Sequence, residues 1–385
     1  MRLSTNRVLT THVGSLPRSA AVLELLQQKE SGEDYDRAVF GRELAAAVDR
    51  IVARQVAVGI DIVSDGEAGK IGYSTYIKDR LSGFEGHYPR LPSLDLAPYP
   101  QFREAMARMT GKQSFQRAAC VGPVELVNRD EMHEDLVRLR AAVDAHDALE
   151  AFVNAASPGL VSAFQPNRYY PDHETYVAAI AAAMKEEYEA IHAAGFVLQI
   201  DCPDLAMARH TGFQDLTEAE FLRRAEYHVE VLNGAVAAIP ADAMRMHICW
   251  GNYEGPHDHD IPLQKILGIV LKAKPAGLLF EAANPRHRHE WTVWRDTKLP
   301  EDKILIPGCL MSTSNYVEHP ELVAQQIIQY ANIVGRERVI AGTDCGFGTF
   351  AGVGRIDPDI AYKKLHALAE GAAIASKQLW GRRSE

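Results

Sequence analysis

Residues 174–201, ETYVAAIAAAMKEEYEAIHAAGFVLQID, contain the two patterns that decide the fold. Apolar residues of the first part recur at helical spacing, namely Val177, Ile180, Met184, Tyr188 and Ile191. This spacing predicts a helix over residues 174–194, which Gly195 ends because glycine is common just beyond a helix C-terminus. The apolar run 196–201 that follows is typical of a buried strand. A long amphipathic helix that leads into a buried strand indicates an α/β protein with a parallel sheet.

Apolar runs of this kind, each ending in polar residues or glycine, recur along the whole chain. The predicted strands are residues 8–14, 60–64, 151–157, 196–201, 243–249, 276–281, 304–307 and 339–342. Eight strands that alternate with helices are the number that a (β/α)8 barrel needs. We therefore predict a single α/β domain over residues 1–385, a (β/α)8 TIM barrel. Residues from about 66 to 150 are predicted to be an insertion after the second strand, which contains a further strand-like apolar run at residues 118–126 and a hairpin; a second small domain is the alternative.

Composition is that of an ordinary globular protein and excludes several classes of function. The chain has 385 residues, 47% hydrophobic and 24% charged, which is enough to bury a large core. Its net charge is −10 and its basic residues are scattered, so no nucleic-acid partner is predicted. No stretch approaches the roughly 18 apolar residues that cross a bilayer, and the N-terminus lacks a signal-peptide core, so no membrane partner and a cytoplasmic location are predicted. Five thinly spread cysteines favour metal binding or catalysis over a disulfide framework.

The densest chemical signal is MHICW at residues 246–250. Side chains two residues apart on a strand point to the same side, so His247 and Cys249 can reach one ion. Glu281 ends the next predicted strand and Cys345 follows the last one. The carboxyl ends of barrel strands meet at one mouth, where active sites are built. Two thiolates, one imidazole and one carboxylate suit Zn2+ better than Mg2+, Ca2+ or iron, so a zinc site is predicted. The alternative is a set of inert core cysteines with a solvated Glu281.

A zinc ion with two thiolate ligands favours one kind of chemistry. It activates water poorly, but it binds an incoming thiol and lowers the pKa of that thiol, which makes the sulfur a nucleophile. This favours alkyl transfer to sulfur over hydrolysis, because zinc hydrolases usually use His and carboxylate ligands. Two further alternatives are a metal-free barrel of the uroporphyrinogen decarboxylase type and a zinc-stabilised binding protein whose active site is spent.

Several motifs together resemble the C-terminal catalytic barrel of the cobalamin-independent methionine synthase family. They are TTHVGSLP at residues 10–17, the His247-x-Cys249 strand, Glu281, and DCG at residues 344–346. The resemblance covers nearly the whole chain, whose length matches the short members with a single barrel. It implies a zinc-dependent methyltransferase that acts on the sulfur of homocysteine, with His247, Cys249, Glu281 and Cys345 as zinc ligands.

The resemblance also implies how the amino-acid thiol is bound. The matching residues of the family that hold the homocysteine amino group are Glu67 and Asp201, and a carboxylate pair at strand ends does complement an ammonium ion. Backbone N–H groups of Gly14 and Ser15 would bind the substrate carboxylate. The alternatives are that Asp201 caps a turn, that Glu67 faces water, and that the Gly-Ser pair is simply a turn.

The chain departs from this family after the seventh predicted strand. The synthases carry an Asp and a His there that help to protonate the folate leaving group, whereas this chain has GCLMSTSN at residues 308–315. Methyltetrahydrofolate is a poor donor unless its nitrogen is protonated, so the alkyl donor stays open among folate, methylcobalamin, an epoxide or another compound. The acid that would protonate the leaving group is unassigned. A second departure is Cys202, which follows Asp201 where the synthases have a Glu and is interpreted as a buried structural cysteine.

A related zinc barrel, the epoxyalkane:coenzyme M transferase, provides the alternative function, in which a thiol adds to an epoxide. Tyr253 or a histidine of the mouth would then receive the charge that develops on oxygen, and Arg286 or Lys70 would bind the sulfonate. The candidate histidines are His257, His259, His287 and His289, which are otherwise interpreted as surface or supporting residues. An aromatic wall for a flat donor is a further hypothesis, and its candidate residues are Trp250, Tyr253, Trp291 and Trp294.

Overall fold

The computed structural model of the protein describes residues 1–89, 92–110, 117–354 and 356–381. Its strands are β1 (Leu9–Thr10), β2 (Ile62–Val63), β3 (Phe84–Glu85), β4 (Ala119–Cys120), β5 (Glu150–Ala156), β6 (Val197–Asp201), β7 (Met244–Ile248), β8 (Gly277–Phe280), β9 (Ile304–Pro307) and β10 (Ile340–Ala341). Its α-helices are α1 (Ala20–Ser31), α2 (Arg37–Ala57), α3 (Ile77–Arg80), α4 (Pro100–Thr110), α5 (Arg129–Ala145), α6 (Pro158–Phe164), α7 (His173–Ala193), α8 (Glu218–Ala235), α9 (Leu263–Val270), α10 (Trp291–Arg295), α11 (Pro320–Val334) and α12 (Pro358–Trp380).

The α/β fold with a parallel sheet is confirmed. Six strands pair in parallel in the order β2-β5-β6-β7-β8-β9, and β1 pairs in parallel with β10. Each of the eight predicted strands overlaps one of these observed strands. The regular ladder covers six strands rather than eight because β1 and β10 are very short and meet their other neighbours through isolated contacts. These contacts are parallel bridges from Leu305 to Val339 and from Gly308 to Gly342, and a hydrogen bond of 3.2 Å from Asp61 N to Thr10 O.

Helix α7 has the local signals that its sequence predicts. The Asp172 carboxylate accepts a hydrogen bond from the Thr175 N–H and caps the N-terminus of the helix. Gly195 follows the helix with a φ of +78°, a left-handed conformation that favours glycine. The five apolar positions at helical spacing are all buried.

Alternation along the strands sorts side chains between two cores. Met244, Met246 and Ile248 of β7 pack outward in the large cluster between sheet and helices. A smaller cluster lies inside the curl of the sheet and contains residues from the strands at both ends of that sheet, among them Ile62 of β2 and Ile304 of β9. The alternate positions of β7 therefore point into the curl, which is where the predicted ligand pair lies.

The segment between β2 and β5 contains an antiparallel pair, β3 with β4. The strand predicted near residues 118–126 therefore exists, but its partner is at residues 84–85, far from it in sequence. Helix α5 of the same segment packs against α2 and α7. In the described part of the chain, no helix is both long enough and apolar enough to cross a membrane.

Candidate active site

Three of the four predicted zinc ligands come together at the carboxyl ends of β7 and β10. His247 is the last residue but one of β7, Cys249 directly follows that strand, and Cys345 follows β10. One ligand atom from each lies within 4.8 Å of the other two, and all three residues are buried. The Sγ atoms of Cys249 and Cys345 are 3.8 Å apart and form no disulfide. Two sulfurs bound to one tetrahedral zinc at about 2.3 Å lie about 3.8 Å apart, so this spacing suits a shared ion.

Protonation of the Cys249 thiol also fits a metal site. The hydrogen bond to Cys345 and burial together raise the pKa of the Cys249 thiol well above its usual value. Both causes favour the neutral thiol, because two thiolates in a dry site repel each other. A divalent cation removes this penalty and ionises its thiol ligands, so the donor set fits zinc.

Glu281, the fourth predicted ligand, lies beside the cluster but is not part of it. Its Oε1 accepts a hydrogen bond of 2.7 Å from the Trp250 N–H, and its Oε2 accepts one of 2.7 Å from Asn284 Nδ2. The charge of Glu281 contributes to the raised pKa of Cys249, which shows that the two groups are close. Both carboxylate oxygens are therefore held by protein donors next to the thiol pair.

Asp344 joins the loops that carry Glu281 and Cys345. Its Oδ1 accepts hydrogen bonds of 2.8 Å from the N–H groups of Ala282 and Ala283. Its Oδ2 accepts bonds of 2.9 and 3.0 Å from the backbone N–H and the side-chain amide of Asn284. The motif that follows the last strand thus supplies both a thiol and the carboxylate that fixes the neighbouring loop, a role that the sequence did not reveal.

Glu67 and Asp201 line the same cavity as the thiol pair. Glu67 has a φ of +54°, and its Oε2 is buried without a hydrogen-bond partner among the described residues. Burial, reinforced by the charge of Asp201 and opposed by Lys70, raises the pKa of Glu67 to about 7. Asp201 accepts hydrogen bonds from Asn154 Nδ2 at 3.1 Å and from Gln199 Nε2 at 3.0 Å. The pair therefore has spare acceptor capacity that faces the cavity, as a site for an ammonium ion requires.

Arg18 fixes the backbone that carries Glu67. Its guanidinium is buried and donates hydrogen bonds to the carbonyl oxygens of Glu67 at 2.8 Å, Lys70 at 2.7 Å and Gly348 at 2.6 Å. It thereby ties the loop after β2 to the loop after β10. This explains how Glu67 keeps a left-handed conformation that non-glycine residues rarely adopt.

Gly14 and Ser15 differ in where they lie. Ser15 lines the cavity, and its carbonyl oxygen accepts a hydrogen bond of 2.8 Å from the Phe347 N–H. Gly14 does not line the cavity, and its N–H is donated to His12 Nδ1 at 3.2 Å. Its φ of +139° and a close approach to Asn154 leave no room for a side chain there. Gly14 therefore shapes the turn that presents Ser15.

The cavity above the thiol pair has a volume of about 880 Å3 and lies partly under α4, which contributes Arg103 and Met106 to its lining. Three aromatic rings that the sequence did not reveal form part of the wall: Tyr73, Phe164 and Phe350. The Tyr73 ring centroid lies 5.7 Å from that of Phe164 and 5.4 Å from that of Phe350. No local pattern marks them, because they come from three distant segments.

The aromatic wall predicted from sequence is different from the observed one. Trp250 and Trp294 are fully buried core residues, and Trp250 Nε1 donates to the Ile261 carbonyl at 2.6 Å. Of the four aromatic candidates, Tyr253 alone is among the described residues that line the cavity. Cys202 is buried and outside the thiol group, as expected for a structural cysteine.

The two cations considered for a sulfonate do not line the cavity among the described residues. Arg286 is exposed. Lys70 Nζ donates a 2.7 Å hydrogen bond to the Asn154 carbonyl and lies 4.2 Å from the centroid of the Tyr76 ring. Neither position supports coenzyme M binding.

Comparisons with known proteins agree with the motifs. No family model matches the chain. The chain is 25% identical to a methionine synthase of Saccharolobus solfataricus over 96% of its own length and 95% of that protein. It is also 25% identical to a methionine synthase of Thermococcus kodakarensis, covering 96% of this chain and 94% of that one. A B12-independent methionine synthase from Shewanella sp. W3-18-1, solved with selenomethionine, shares its fold with a TM-score of 0.72 at 19% identity over 98% of this chain and 100% of that chain. The resemblance that the motifs indicate is therefore confirmed: over nearly its whole length, this chain is similar to proteins named methionine synthase.

Proposed function

We propose that the protein is a zinc-dependent methyltransferase that methylates the sulfur of homocysteine. The observation that carries the proposal is the pair of buried thiols 3.8 Å apart, next to His247, at the base of a cavity that Glu67 and Asp201 also line. The relatives named methionine synthase support the same reaction. A structural zinc would need no such cavity, and a hydrolytic zinc would not need two thiolates.

Zinc would be held by His247, Cys249 and Cys345, with Glu281 as the fourth ligand. When bound, it lowers the pKa of the acceptor thiol so that the sulfur is a nucleophile at neutral pH. Asp344 and Asn284 hold the loop of Glu281 against that of Cys345, and so position the fourth ligand. Such supporting hydrogen bonds typically change metal affinity by about 10- to 100-fold.

Glu67 and Asp201 would bind the ammonium group of homocysteine. The Glu67 oxygen that lacks a partner would accept one ammonium N–H, and Asp201, held by Asn154 and Gln199, would accept another. Ser15 would bind the substrate carboxylate, with Gly14 supporting its turn. This two-ended grip would orient the sulfur toward the metal and select an amino-acid thiol over a simple thiol.

The wider architecture follows the same proposal. β1 and β10 would close the six-stranded sheet into a (β/α)8 barrel, supported by the bridges to β9 and the bond from Asp61 to Thr10. Residues from about 66 to 150 would be an insertion that covers the mouth, and the cytoplasmic location stays a prediction.

The test is metal content together with X-ray absorption at the zinc edge, before and after homocysteine is added. We expect one zinc per chain and one additional sulfur in its shell with homocysteine. Cys345→Ser should lose zinc and methyl transfer together, whereas the control Cys120→Ser, a buried cysteine outside the cluster, should keep both. Full zinc and full turnover in Cys345→Ser would refute the ligand assignment. A zinc coordination shell that does not change when homocysteine is added would refute the proposed methyl transfer to homocysteine.

A further inference from the structure

The histidines near the cavity mouth are not available to protonate a leaving group. His257 Nδ1 lies 3.1 Å from Asp260 and its Nε2 lies 2.9 Å from the Tyr253 carbonyl. His287 Nδ1 lies 2.9 Å from Glu290 and its Nε2 lies 3.0 Å from Asp260. Because each ring uses both nitrogens within the protein, neither can reach a substrate. His259 and His289 are exposed and are not among the described residues that line the cavity.

His210 belongs to the same network. It is fully buried, with Nδ1 3.4 Å from Asp260 and Nε2 3.4 Å from the Tyr253 hydroxyl. A single buried carboxylate, Asp260, is thus the shared partner of three imidazoles. The network fixes the loop that carries Tyr253, and none of its three imidazoles is among the described residues that line the cavity.

The hydroxyl groups of the wall are weak acids. Tyr253 donates its hydroxyl hydrogen to Asp95, and burial together with that carboxylate raises the pKa of Tyr253. Ser312 Oγ donates to Asn252 Oδ1 at 2.7 Å. A folate nitrogen or an epoxide oxygen needs a proton as its bond breaks, and these hydroxyl groups supply none at neutral pH. Glu67, whose pKa burial raises to about 7, would be ionised when the homocysteine ammonium is bound against it.

The wall instead suits a positive charge. The rings of Tyr73, Phe164 and Phe350 lie together on it, and ring faces attract cations. Among the described lining residues, the carboxylates are Glu67, Asp201 and Glu254, against a single guanidinium, Arg103. Among these described residues, a donor with several carboxylates or phosphates would find one guanidinium.

We infer that the methyl donor is a compact methylsulfonium compound, an inference that rests on the proposed function. The thiolate sulfur of homocysteine attacks the methyl carbon, and the new S–C bond forms as the bond from methyl to sulfonium sulfur breaks. The electron pair of the broken bond stays on the donor sulfur, which leaves as a neutral thioether and needs no proton. The thiol proton is released to solvent when the thiolate forms. A corrinoid also leaves without a proton, so the comparison of donors below includes methylcobalamin.

The experiment compares donors on zinc-loaded protein, with consumption of homocysteine as the readout. The donors are S-methyl-L-methionine, 5-methyltetrahydrofolate as mono- and triglutamate, and methylcobalamin. We expect kcat/KM for S-methyl-L-methionine to exceed the others by at least roughly 100-fold, in line with a missing acid. A higher kcat/KM for folate or methylcobalamin would overturn the inference and leave the proposed methyl transfer intact. Failure of homocysteine to add sulfur to the zinc shell would instead refute the proposed function.

A binding measurement decides the question if no donor is turned over. Calorimetry without homocysteine, where no transfer takes place, compares S-methyl-L-methionine with homoleucine, in which carbon replaces the charged sulfur. We expect the cation to bind at least roughly tenfold more tightly, and equal affinities would overturn the inference.

Phe350→Leu should weaken binding of the sulfonium roughly tenfold and leave homoleucine affinity and zinc content unchanged. The control is Tyr169→Leu, which removes an exposed ring outside the cavity lining and should change neither affinity. Unchanged affinity of Phe350→Leu for the sulfonium would show that this ring does not bind the cation, and would overturn cation recognition by the aromatic wall.

Discussion

Asp344→Asn tests the carboxylate that joins the two ligand loops. The native carboxylate accepts hydrogen bonds from four N–H groups, those of Ala282, Ala283 and Asn284 and the side-chain amide of Asn284. An asparagine keeps one oxygen, which can still serve Ala282 and Ala283. The side-chain NH2 group of the new asparagine then faces the two N–H donors of Asn284. Those two hydrogen bonds are lost, and donor groups are left in contact with each other.

The size of the effect follows from these contacts. A hydrogen bond to a charged group contributes about 1.5–3 kcal/mol, and Asp344 is buried, so the loss of two such bonds should lower the unfolding free energy by roughly 3–6 kcal/mol. Burial and the charge of Glu281 raise the pKa of Asp344 to about 6, so the carboxylate is largely ionised at pH 8. Zinc affinity should fall by about 10- to 100-fold, because the loop of Glu281 loses its anchor.

The assay is urea unfolding at pH 8, with zinc affinity measured by competition with a chromogenic chelator. The control is Asp296→Asn, which changes an exposed carboxylate paired with Arg295 and should leave the unfolding free energy essentially unchanged. If the unfolding free energy of Asp344→Asn lies within about 1 kcal/mol of that of the native protein, the hydrogen bonds from the four N–H groups do not stabilise the fold as argued.

Three further predictions concern other parts of the molecule. Burial lowers the pKa of His287, but the hydrogen bonds to Asp260 and Glu290 outweigh it and raise the pKa to about 10. The charged His287 therefore stabilises the fold fully below about pH 6.5, and this stabilisation is lost as the pH rises through 10. The urea midpoint of unfolding should fall more between pH 7 and pH 10 in the native protein than in His287→Gln. The same fall in both proteins would contradict this. Gly159→Ala should destabilise by about 1–3 kcal/mol or more in thermal unfolding, because its Cβ would lie 2.0 Å from Asp204 Oδ2 and 2.3 Å from His228 Nδ1. Gly234→Ala, in open space on α8, should be neutral or stabilising, and equal losses in both variants would disprove the packing argument. Glu67→Gln should raise the KM for homocysteine roughly 10- to 100-fold in steady-state kinetics with zinc content unchanged, because a charged partner of the ammonium is lost. The control Glu337→Gln, at an exposed position, should leave this KM unchanged.

The parts of the fold that sequence predicts well are those set by neighbours along the chain. Helix α7 and its glycine stop depend on local spacing and capping, and β7 depends on alternation, so both lie where the pattern indicates. The pairing of His247 with Cys249 follows from the same two-residue period. Cys345 could be included because parallel strands end at a common edge.

The parts that sequence does not predict arise from contacts between distant segments. Asp260 binds histidines from three loops, and the rings of Tyr73, Phe164 and Phe350 meet only after the chain has folded. Trp250 was a candidate for the wall because it adjoins Cys249, but the period that points Cys249 inward points Trp250 into the core. The closing strands were predicted longer than they are, since an apolar run does not show how many of its residues find a partner.

The pairing of β1 with β10 has a consequence for how the chain is made. Leu9 pairs with Ile340 and Thr10 with Ala341, so one edge of the first strand finds its partner only after about 330 further residues have been synthesised. At about 5–20 residues per second, a ribosome needs roughly 15–65 seconds to add the intervening chain. An open strand edge is a template for unwanted pairing with other chains. β1 is just two residues long, so its unpaired edge offers another nascent chain few backbone groups for hydrogen bonding before β10 is made.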